Sequence, residues 1–146
     1  MMYTPSNTDS VRTPENLLNY LQEHYGESWY DPCEFNPKFN SDTHVDGLKT
    51  DWKALCKDFV YVNPPYSSSK KWILKSNDYP DLTIIYLLKN GTLGSSYYNQ
   101  LEGPSNLVFI NPHIQFPGYK KKARFSSFLL IRGPLANNTF KFLKLS

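Results

Sequence analysis

The sequence predicts an α/β fold, in which a mixed sheet combines parallel βα units with antiparallel strands at its end. Up to about residue 100, apolar runs of strand character alternate with segments of helical periodicity. After that point strand-like runs dominate. The length of 146 residues suits one domain rather than two. We therefore expect a flexible arm over residues 1–12 and a single domain over residues 13–146.

The first predicted helix begins at Thr13 and Pro14 and ends at Gly26. Threonine is a favoured N-cap, proline is favoured at the first helical position, and glycine is a common stop. The apolar face of this helix is predicted to consist of Leu17, Leu18, Leu21 and Tyr25.

Three further elements lead to the middle of the chain. The stretch "SWYDPCEFNP" predicts a very short strand that enters a proline-containing loop, and residues 36–47 are polar and predict a loop. The stretch "LKTDWKALCK" predicts a short helix with Leu48, Trp52 and Leu55 facing inward. The continuous apolar character of "FVYV" predicts a strand that is buried on both faces.

The remaining elements complete the predicted sheet. The stretch "SSSKKWILKS" predicts a helix capped by Ser67 or Ser68, "LTIIYLL" is the strongest strand signal, and "TLGSSYYNQL" predicts a weak helix. Three more strands are predicted at "LVFI", "SFLLIR" and "TFKFLKL". In such sheets a ligand binds beyond the carboxyl ends of the strands. Two polar loops are predicted there, "DPCE" at residues 31–34 and "NPPY" at residues 63–66.

Charge is distributed unevenly along the chain. No Asp or Glu follows Glu102, whereas seven of the 16 basic residues lie from Gly103 onward. The net charge of +3 therefore divides into −4 for residues 1–102 and +7 for the rest. This asymmetry favours a polyanionic partner. The alternative is a solvated basic edge that keeps the protein in solution.

Several classes of protein do not fit the sequence. No run approaches the roughly 20 apolar residues needed to span a bilayer. The polar N-terminus has no apolar signal core, so we expect a cytoplasmic protein. Cys33 and Cys56 lie in different segments without a CxxC pair, which predicts reduced thiols. The three histidines are scattered, and no metal site is expected.

The tetrad Asn63-Pro64-Pro65-Tyr66 suits the binding of an exocyclic aromatic amine. Such an amine is a poor nucleophile because its lone pair is delocalised into the ring. The side-chain oxygen of Asn63 and the backbone carbonyl of Pro64 could each accept one N–H and localise that pair. Each proline holds the preceding residue extended, so both acceptors are fixed before the reaction. Tyr66 offers a face on which a base can stack. The alternative is a rigid strand-end turn with a core-packed tyrosine.

In four stretches the chain resembles the phage-type DNA adenine-N6 methyltransferases. These stretches are "RTPENLLNYLQEHYG", "WYDPCEFNP", "VDGLKTDW" and "NPPYSSSKKW", in this order over residues 12–76. The resemblance implies a minimal single-domain, Rossmann-like methyltransferase fold and a viral or prophage source. It also implies methyl transfer from S-adenosylmethionine to N6 of an adenine flipped out of DNA.

The resemblance further implies which residues form the site. Cofactor-binding residues would be Thr13, Pro14, Asp31, Pro32 and Asp46, and catalytic residues would be Asn63, Pro64, Pro65 and Tyr66. The DNA phosphates would be held by Lys120, Lys121, Lys122 and Arg124. The chain leaves no room for a separate recognition domain, so sequence specificity would come from loops 89–105 and 116–125.

Alternatives remain at the level of function and of single residues. NPPY also serves methyltransferases that act on RNA bases or on protein glutamines, and the basic tail favours nucleic acid over a protein loop. A degenerate fold could instead act only as a nucleic-acid-binding or virion component. Asp31 could merely form an Asx turn before Pro32, and Asp46 begins an Asp-Gly dipeptide, which is an ordinary turn signal.

Overall fold

A computed structural model describes residues 12–33, 46–111 and 113–145. The predicted N-terminal arm up to residue 11 and the predicted loop up to residue 45 lie outside these ranges. Among the described residues, no helix has the length and apolar character that crossing a membrane requires.

Six strands form one mixed sheet. They are β1 (Trp29–Tyr30), β2 (Phe59–Val62), β3 (Ile84–Lys89), β4 (Ser105–Asn111), β5 (Ser127–Arg132) and β6 (Phe140–Lys144). Their spatial order is β1-β2-β3-β5-β4-β6. β1, β2 and β3 are mutually parallel, β5 is antiparallel to both β3 and β4, and β6 is parallel to β4. The predicted α/β class with a mixed sheet is therefore confirmed.

Three α-helices accompany the sheet in the described part of the chain: α1 (Glu15–Tyr25), α2 (Trp52–Leu55) and α3 (Ser69–Leu74). α1 ends at Gly26 as predicted, but its N-cap is Pro14 rather than Thr13. The cap therefore forms without a side-chain hydrogen bond, and the hydroxyl of Thr13 makes other contacts that are described below. Ser68 occupies the N-cap of α3, also without a side-chain hydrogen bond.

Two local predictions are wrong. α2 is a single turn, and Leu55 at its end is 51% exposed rather than inward-facing. The helix stops before a second turn could bring Leu55 back onto the sheet. The predicted weak helix after β3 consists of two 3-10 segments, Asn90–Gly94 and Ser96–Gln100. Glycine and serine in this stretch are weak helix formers, so the chain takes the tighter turns instead.

The sheet separates two apolar clusters because alternate residues of each strand face opposite sides. On one side, Leu17 and Leu21 of α1 pack against residues of β2, β3 and β5. On the other side, Trp52 of α2 and Trp72 of α3 pack against the same strands. All four residues of β2 are buried, which confirms the prediction of a strand covered on both faces.

This topology places the loops that matter at one edge of the sheet. β1, β2, β3, β4 and β6 point in the same direction, so their carboxyl ends share that edge. β5 runs the other way and begins there, since Ser127 pairs with both Lys89 and Ile110. The segments after β1, after β2, after β3 and between β4 and β5 therefore leave or enter the sheet at the same edge, which we call the carboxyl edge.

Candidate active site

The NPPY tetrad directly follows β2 at the carboxyl edge. Asn63 is only 6% exposed, and Pro64 is buried beside it. Pro65 has extended dihedral angles (φ −57°, ψ 134°), and its carbonyl accepts a 3.1 Å hydrogen bond from the amide of Ser68. A 3-10 turn over Tyr66–Ser68 then leads into α3. The tetrad is thus held between a buried strand and a closed turn.

The hydroxyl of Thr13 connects the start of α1 to the tetrad. Its Oγ1 accepts a hydrogen bond from Nδ2 of Asn63 at 3.3 Å. The same atom lies 2.7 Å from the hydroxyl of Tyr61. Burial raises the pKa of Tyr61 well above its usual value, the Thr13 hydrogen bond opposes this rise, and the charge of Asp31 adds to it. Thr13, Tyr61, Asn63 and Asp31 therefore lie within one electrostatic neighbourhood.

Two carboxylates, Asp31 in the loop after β1 and Asp46 before Gly47, lie near the thiol of Cys33. Oδ1 of Asp31 accepts a 2.9 Å hydrogen bond from the amide of Cys33, which is the Asx turn considered above. Oδ1 of Asp46 accepts a 3.0 Å hydrogen bond from the amide of Leu48. Burial raises the pKa of Cys33 to about 12, and the negative charges of Asp31 and Asp46 contribute. Both carboxylates therefore approach Cys33, although they lie in different segments.

Gly47 packs directly against the loop after β1. A Cβ atom at Gly47 would lie far inside the contact distance of the carbonyl oxygen of Pro32. The carbonyl of Gly47 accepts hydrogen bonds from Nε1 of Trp52 and from Oγ1 of Thr50, both at 2.9 Å. Asp46 is thereby held beside Pro32 and Asp31. An Asp-Gly dipeptide is an ordinary turn signal in a sequence. In this structure its glycine also permits a close backbone approach to Pro32.

The loop after β1 and the NPPY tetrad follow neighbouring strands of the sheet. β1 and β2 are parallel, with Trp29 opposite Phe59 and Tyr30 opposite Val60. Asp31 follows Tyr30 and therefore leaves the sheet near Tyr61, just before Asn63. This register agrees with the influence of Asp31 on the pKa of Tyr61. The structure thus brings the predicted residues Thr13, Pro14, Asp31, Pro32 and Asp46 to the same edge as the NPPY tetrad.

The ring of Tyr66 contacts two residues from other segments. Its edge meets Phe125, with ring centroids 5.8 Å apart and an interplanar angle of 85°. The Nζ of Lys89 lies 4.3 Å from the centroid of the Tyr66 ring, a cation–π distance. Sequence reasoning missed both partners. Lys89 is the last residue of β3, the strand next to β2 in the sheet. Its place at that strand end is the signal from which its contact with Tyr66 could have been predicted.

The predicted phosphate-binding residues lie on an anchored loop. The segment 113–126 between β4 and β5 buries Ile114, Phe116 and Ala123 in the core. A 2.7 Å hydrogen bond joins the amide of Ala123 to the carbonyl of Ile114. Four cationic side chains project from this loop and are exposed: Lys120, Lys121, Lys122 and Arg124. We call this segment the basic loop. Through Phe125 it contacts Tyr66 of the tetrad.

Arg132 does not belong to this basic surface. It ends β5 at the opposite edge of the sheet and is 4% exposed. Its guanidinium donates to side-chain oxygens and backbone carbonyls of residues Ser76, Asn77, Glu102, Gly103, Pro104 and Ser105. Desolvation lowers its pKa from the usual value, which nearby Tyr86 and Glu102 partly oppose. This arginine therefore joins the chain before β4 to the sheet.

The arrangement can support group transfer to a planar amine beside a polyanion. A buried amide, an aromatic ring, two carboxylates and an exposed cationic loop lie at the carboxyl edge. In the part of the chain that the structure describes, no cluster of three or more His, Cys, Asp or Glu side chains could hold a metal ion.

Comparison with known protein families gives one match that covers most of the chain. The sequence model of a family described as "DNA N-6-adenine-methyltransferase (Dam)" matches residues 3–132. The match includes the NPPY tetrad, the loop after β1 and the basic loop, and it ends at the last residue of β5. No curated protein matches the chain.

Proposed function

The chain belongs to the DNA N-6-adenine-methyltransferase (Dam) family, and from this premise we propose that it transfers a methyl group from S-adenosylmethionine to N6 of an adenine flipped out of DNA. The observation that carries the proposal is the contact between Tyr66 and Phe125. It joins a tetrad suited to a base amine to a loop suited to phosphates. The mixed six-strand sheet with one reversed strand is compatible with a Rossmann-like methyltransferase fold.

Asn63 and Pro64 would hold the reacting amine. An adenine N6 carries two N–H groups, and the Asn63 side-chain oxygen and the Pro64 carbonyl are two acceptors for them. Both residues are buried, so the acceptors act where water competes little. Accepting both N–H groups localises the nitrogen lone pair and makes N6 more nucleophilic. The methylated nitrogen then loses a proton to solvent without a general base, because an aryl ammonium is a strong acid.

Tyr66 would hold the extruded base by stacking. Taking a base out of the duplex costs a few kcal/mol. Stacking on an aromatic side chain returns about 1–3 kcal/mol. The edge contact with Phe125 and the ammonium of Lys89 fix the Tyr66 ring before DNA binds. A ring that is already fixed loses little entropy when the base arrives.

The loop after β1 has a donor set that fits the proposed cofactor. S-adenosylmethionine, when bound, supplies an electrophilic methyl group on a positively charged sulfonium. Two carboxylates, Asp31 and Asp46, converge on Cys33, and carboxylates accept from ammonium and hydroxyl groups while attracting a cation. We propose that Asp31, Pro32 and Asp46 bind the cofactor, with Thr13 and Pro14 closing the same side.

The basic loop would bind the DNA backbone. Lys120, Lys121, Lys122 and Arg124 are exposed on a loop that buried side chains anchor. Contacts of this kind supply affinity and orientation without reading bases. Base recognition would fall to other residues of loops 89–105 and 116–125. The amide of Asn90 in the first loop donates a 2.9 Å hydrogen bond to the carbonyl of Ser126, the residue that follows the second.

Acceptor competition tests this function. Purified protein is incubated with methyl-labelled S-adenosylmethionine and equal masses of mixed-sequence DNA, RNA or a glutamine-bearing protein. We expect label in DNA and none above background in the other two acceptors. Label mainly in RNA or protein would move the activity to those substrates. No label in any acceptor, together with no heat on titration with S-adenosylmethionine, would favour a nucleic-acid-binding role without catalysis.

A further inference from the structure

Two hydroxyl groups, on Tyr61 and Thr13, form a hydrogen-bonded chain that ends at the Asn63 amide. Nδ2 of Asn63 donates to Oγ1 of Thr13 at 3.3 Å, and Oγ1 of Thr13 lies 2.7 Å from the hydroxyl of Tyr61. Tyr61 is fully buried, and the charge of Asp31 reaches it. The connection brings together residues about 50 positions apart in sequence. It ends at Nδ2 of the amide whose oxygen would receive the adenine amine.

The orientation of the Asn63 amide decides whether the site can work. An asparagine side chain has one end that accepts and one end that donates hydrogen bonds. An adenine N6 offers N–H groups, so only the oxygen end can bind them. With the amide turned over, two sets of N–H groups would face each other. A planar amide has no strong torsional preference between the two orientations, so a neighbour must choose one.

The polarity of the chain supplies that choice. The hydroxyl of Tyr61 and Oγ1 of Thr13 lie 2.7 Å apart, so one hydrogen is shared between them. When Thr13 donates that hydrogen, its Oγ1 can only accept from Asn63, and only the N–H end of the Asn63 amide can donate to it. This is the direction in which Nδ2 of Asn63 meets Thr13.

We propose that Thr13 and Tyr61 are positioning residues that turn the oxygen of the Asn63 amide toward the target amine. The inference rests on the proposed function of the NPPY tetrad. It gives Thr13 a role toward the amine in addition to closing the side on which the cofactor would bind.

The first test removes the hydroxyl of Thr13 without changing its shape. We expect Thr13→Val to lower kcat by about tenfold, the value of one hydrogen bond, and Tyr61→Phe to act in the same direction. KM for S-adenosylmethionine should stay within about twofold, because valine keeps the shape with which Thr13 would close the cofactor side and removes only the hydroxyl that bonds to Asn63. Thr13→Ser keeps a hydroxyl and should restore most of the rate. A raised KM with unchanged kcat, or no rescue by serine, overturns the proposal.

The second test uses the symmetry of a carboxylate. In Asn63→Asp either oxygen can accept from the amine, so no orientation has to be chosen. Adding Thr13→Val to Asn63→Asp should therefore cost less than about twofold, compared with about tenfold in the asparagine background. Equal losses in both backgrounds would contradict the proposal, because they would indicate a general structural role for Thr13.

A third readout does not depend on activity. In the protein labelled with 15N, the side-chain Nδ2 proton resonance of Asn63 should shift upfield in Thr13→Val and remain near its wild-type position in Thr13→Ser. An unchanged resonance in Thr13→Val overturns the orientation proposal even if the enzyme is active. If the wild-type protein methylates no DNA but the resonance shifts as expected, the proposed function fails while the hydrogen-bonded chain stands.

Discussion

The edge of the Tyr66 ring meets the ring of Phe125, with centroids 5.8 Å apart and planes at 85°. One residue closes the NPPY tetrad after β2, and the other belongs to the basic loop that precedes β5. The contact joins the proposed base-binding ring to the loop that carries the exposed cations. It is the physical link between the two halves of the proposed activity.

Removing this link should impair DNA methylation. An aromatic pair contributes about 0.5–1.5 kcal/mol beyond its buried area, so Phe125→Ala should lower kcat/KM for DNA by roughly two- to tenfold. Phe142→Ala is the matched control. It removes the same kind of ring from β6, where Phe142 is 75% exposed. Steady-state methylation kinetics measures both variants. Equal effects of the two substitutions would argue against a special role for the Tyr66–Phe125 contact.

The basic loop should govern the salt dependence of DNA binding. Each phosphate contact contributes about −0.9 to the slope of log affinity against log salt, so Lys120→Gln with Lys122→Gln should make the slope shallower by about 1.8. Fluorescence anisotropy with a labelled duplex gives the slope.

The control for this experiment removes the same charge elsewhere. Lys53 and Lys57 are both exposed, and they lie in the part of the chain that leads into the start of β2. Lys53→Gln with Lys57→Gln should leave the slope unchanged. If this pair changes the slope as much as the basic-loop pair does, DNA binds by net charge and not through the basic loop.

Gly47 should tolerate no side chain. A methyl group there would collide with the carbonyl of Pro32, so Gly47→Ala must displace the loop after β1. We expect a lower Tm and weaker S-adenosylmethionine binding by calorimetry. Gly91→Ala is the matched control, since a Cβ at Gly91 meets nothing within 4 Å. A Gly47→Ala variant that binds S-adenosylmethionine like wild type would show that the packing of Gly47 against Pro32 does not affect cofactor binding.

The free energy of unfolding should fall at high pH because the folded state raises the pKa of Cys33. Burial first, and then Asp31 and Asp46, raise its pKa from 9.0 to about 12 in the folded state. The folded state therefore holds this proton more tightly than the unfolded chain does. Its contribution to stability is complete below pH 9 and is lost as pH rises toward 12.

Urea unfolding at several pH values between 9 and 11 measures this dependence for wild type and for Cys33→Ser. Removing the thiol should make the decline of the unfolding free energy shallower by up to about one proton. An identical decline in both proteins would mean that the proton of Cys33 is held no more tightly after folding.

Local patterns predicted most of the fold. The six strands and α1 follow from apolar runs and helix-end signals that lie within a few residues of each other. The prediction that Leu55 faces inward is wrong because its helix has only one turn, and periodicity does not determine where so short a helix ends. The prediction of an α-helix after β3 is wrong because the 3-10 segment Ser96–Gln100 already buries Tyr97 against the core.

The site could be predicted only in part for a related reason. The NPPY tetrad and the Asp31-Pro32 pair are recognisable as short stretches of sequence, so they could be proposed as site residues without a structure. The partners of Asn63 and Tyr66 depend on the register of distant strands and on the docking of α1. Thr13 illustrates this best, because local rules assigned its hydroxyl to a helix cap, whereas it contacts Tyr61 and Asn63.

The most direct test of the central claim is nucleoside analysis of treated DNA. Unmethylated DNA is incubated with S-adenosylmethionine and the protein, digested to nucleosides and examined by mass spectrometry. We expect N6-methyldeoxyadenosine with the wild-type protein, and none with Asn63→Ala at an unchanged Tm. The proposed function is wrong if wild type yields no N6-methyldeoxyadenosine where a control enzyme methylates the same DNA, or if Asn63→Ala yields as much as wild type.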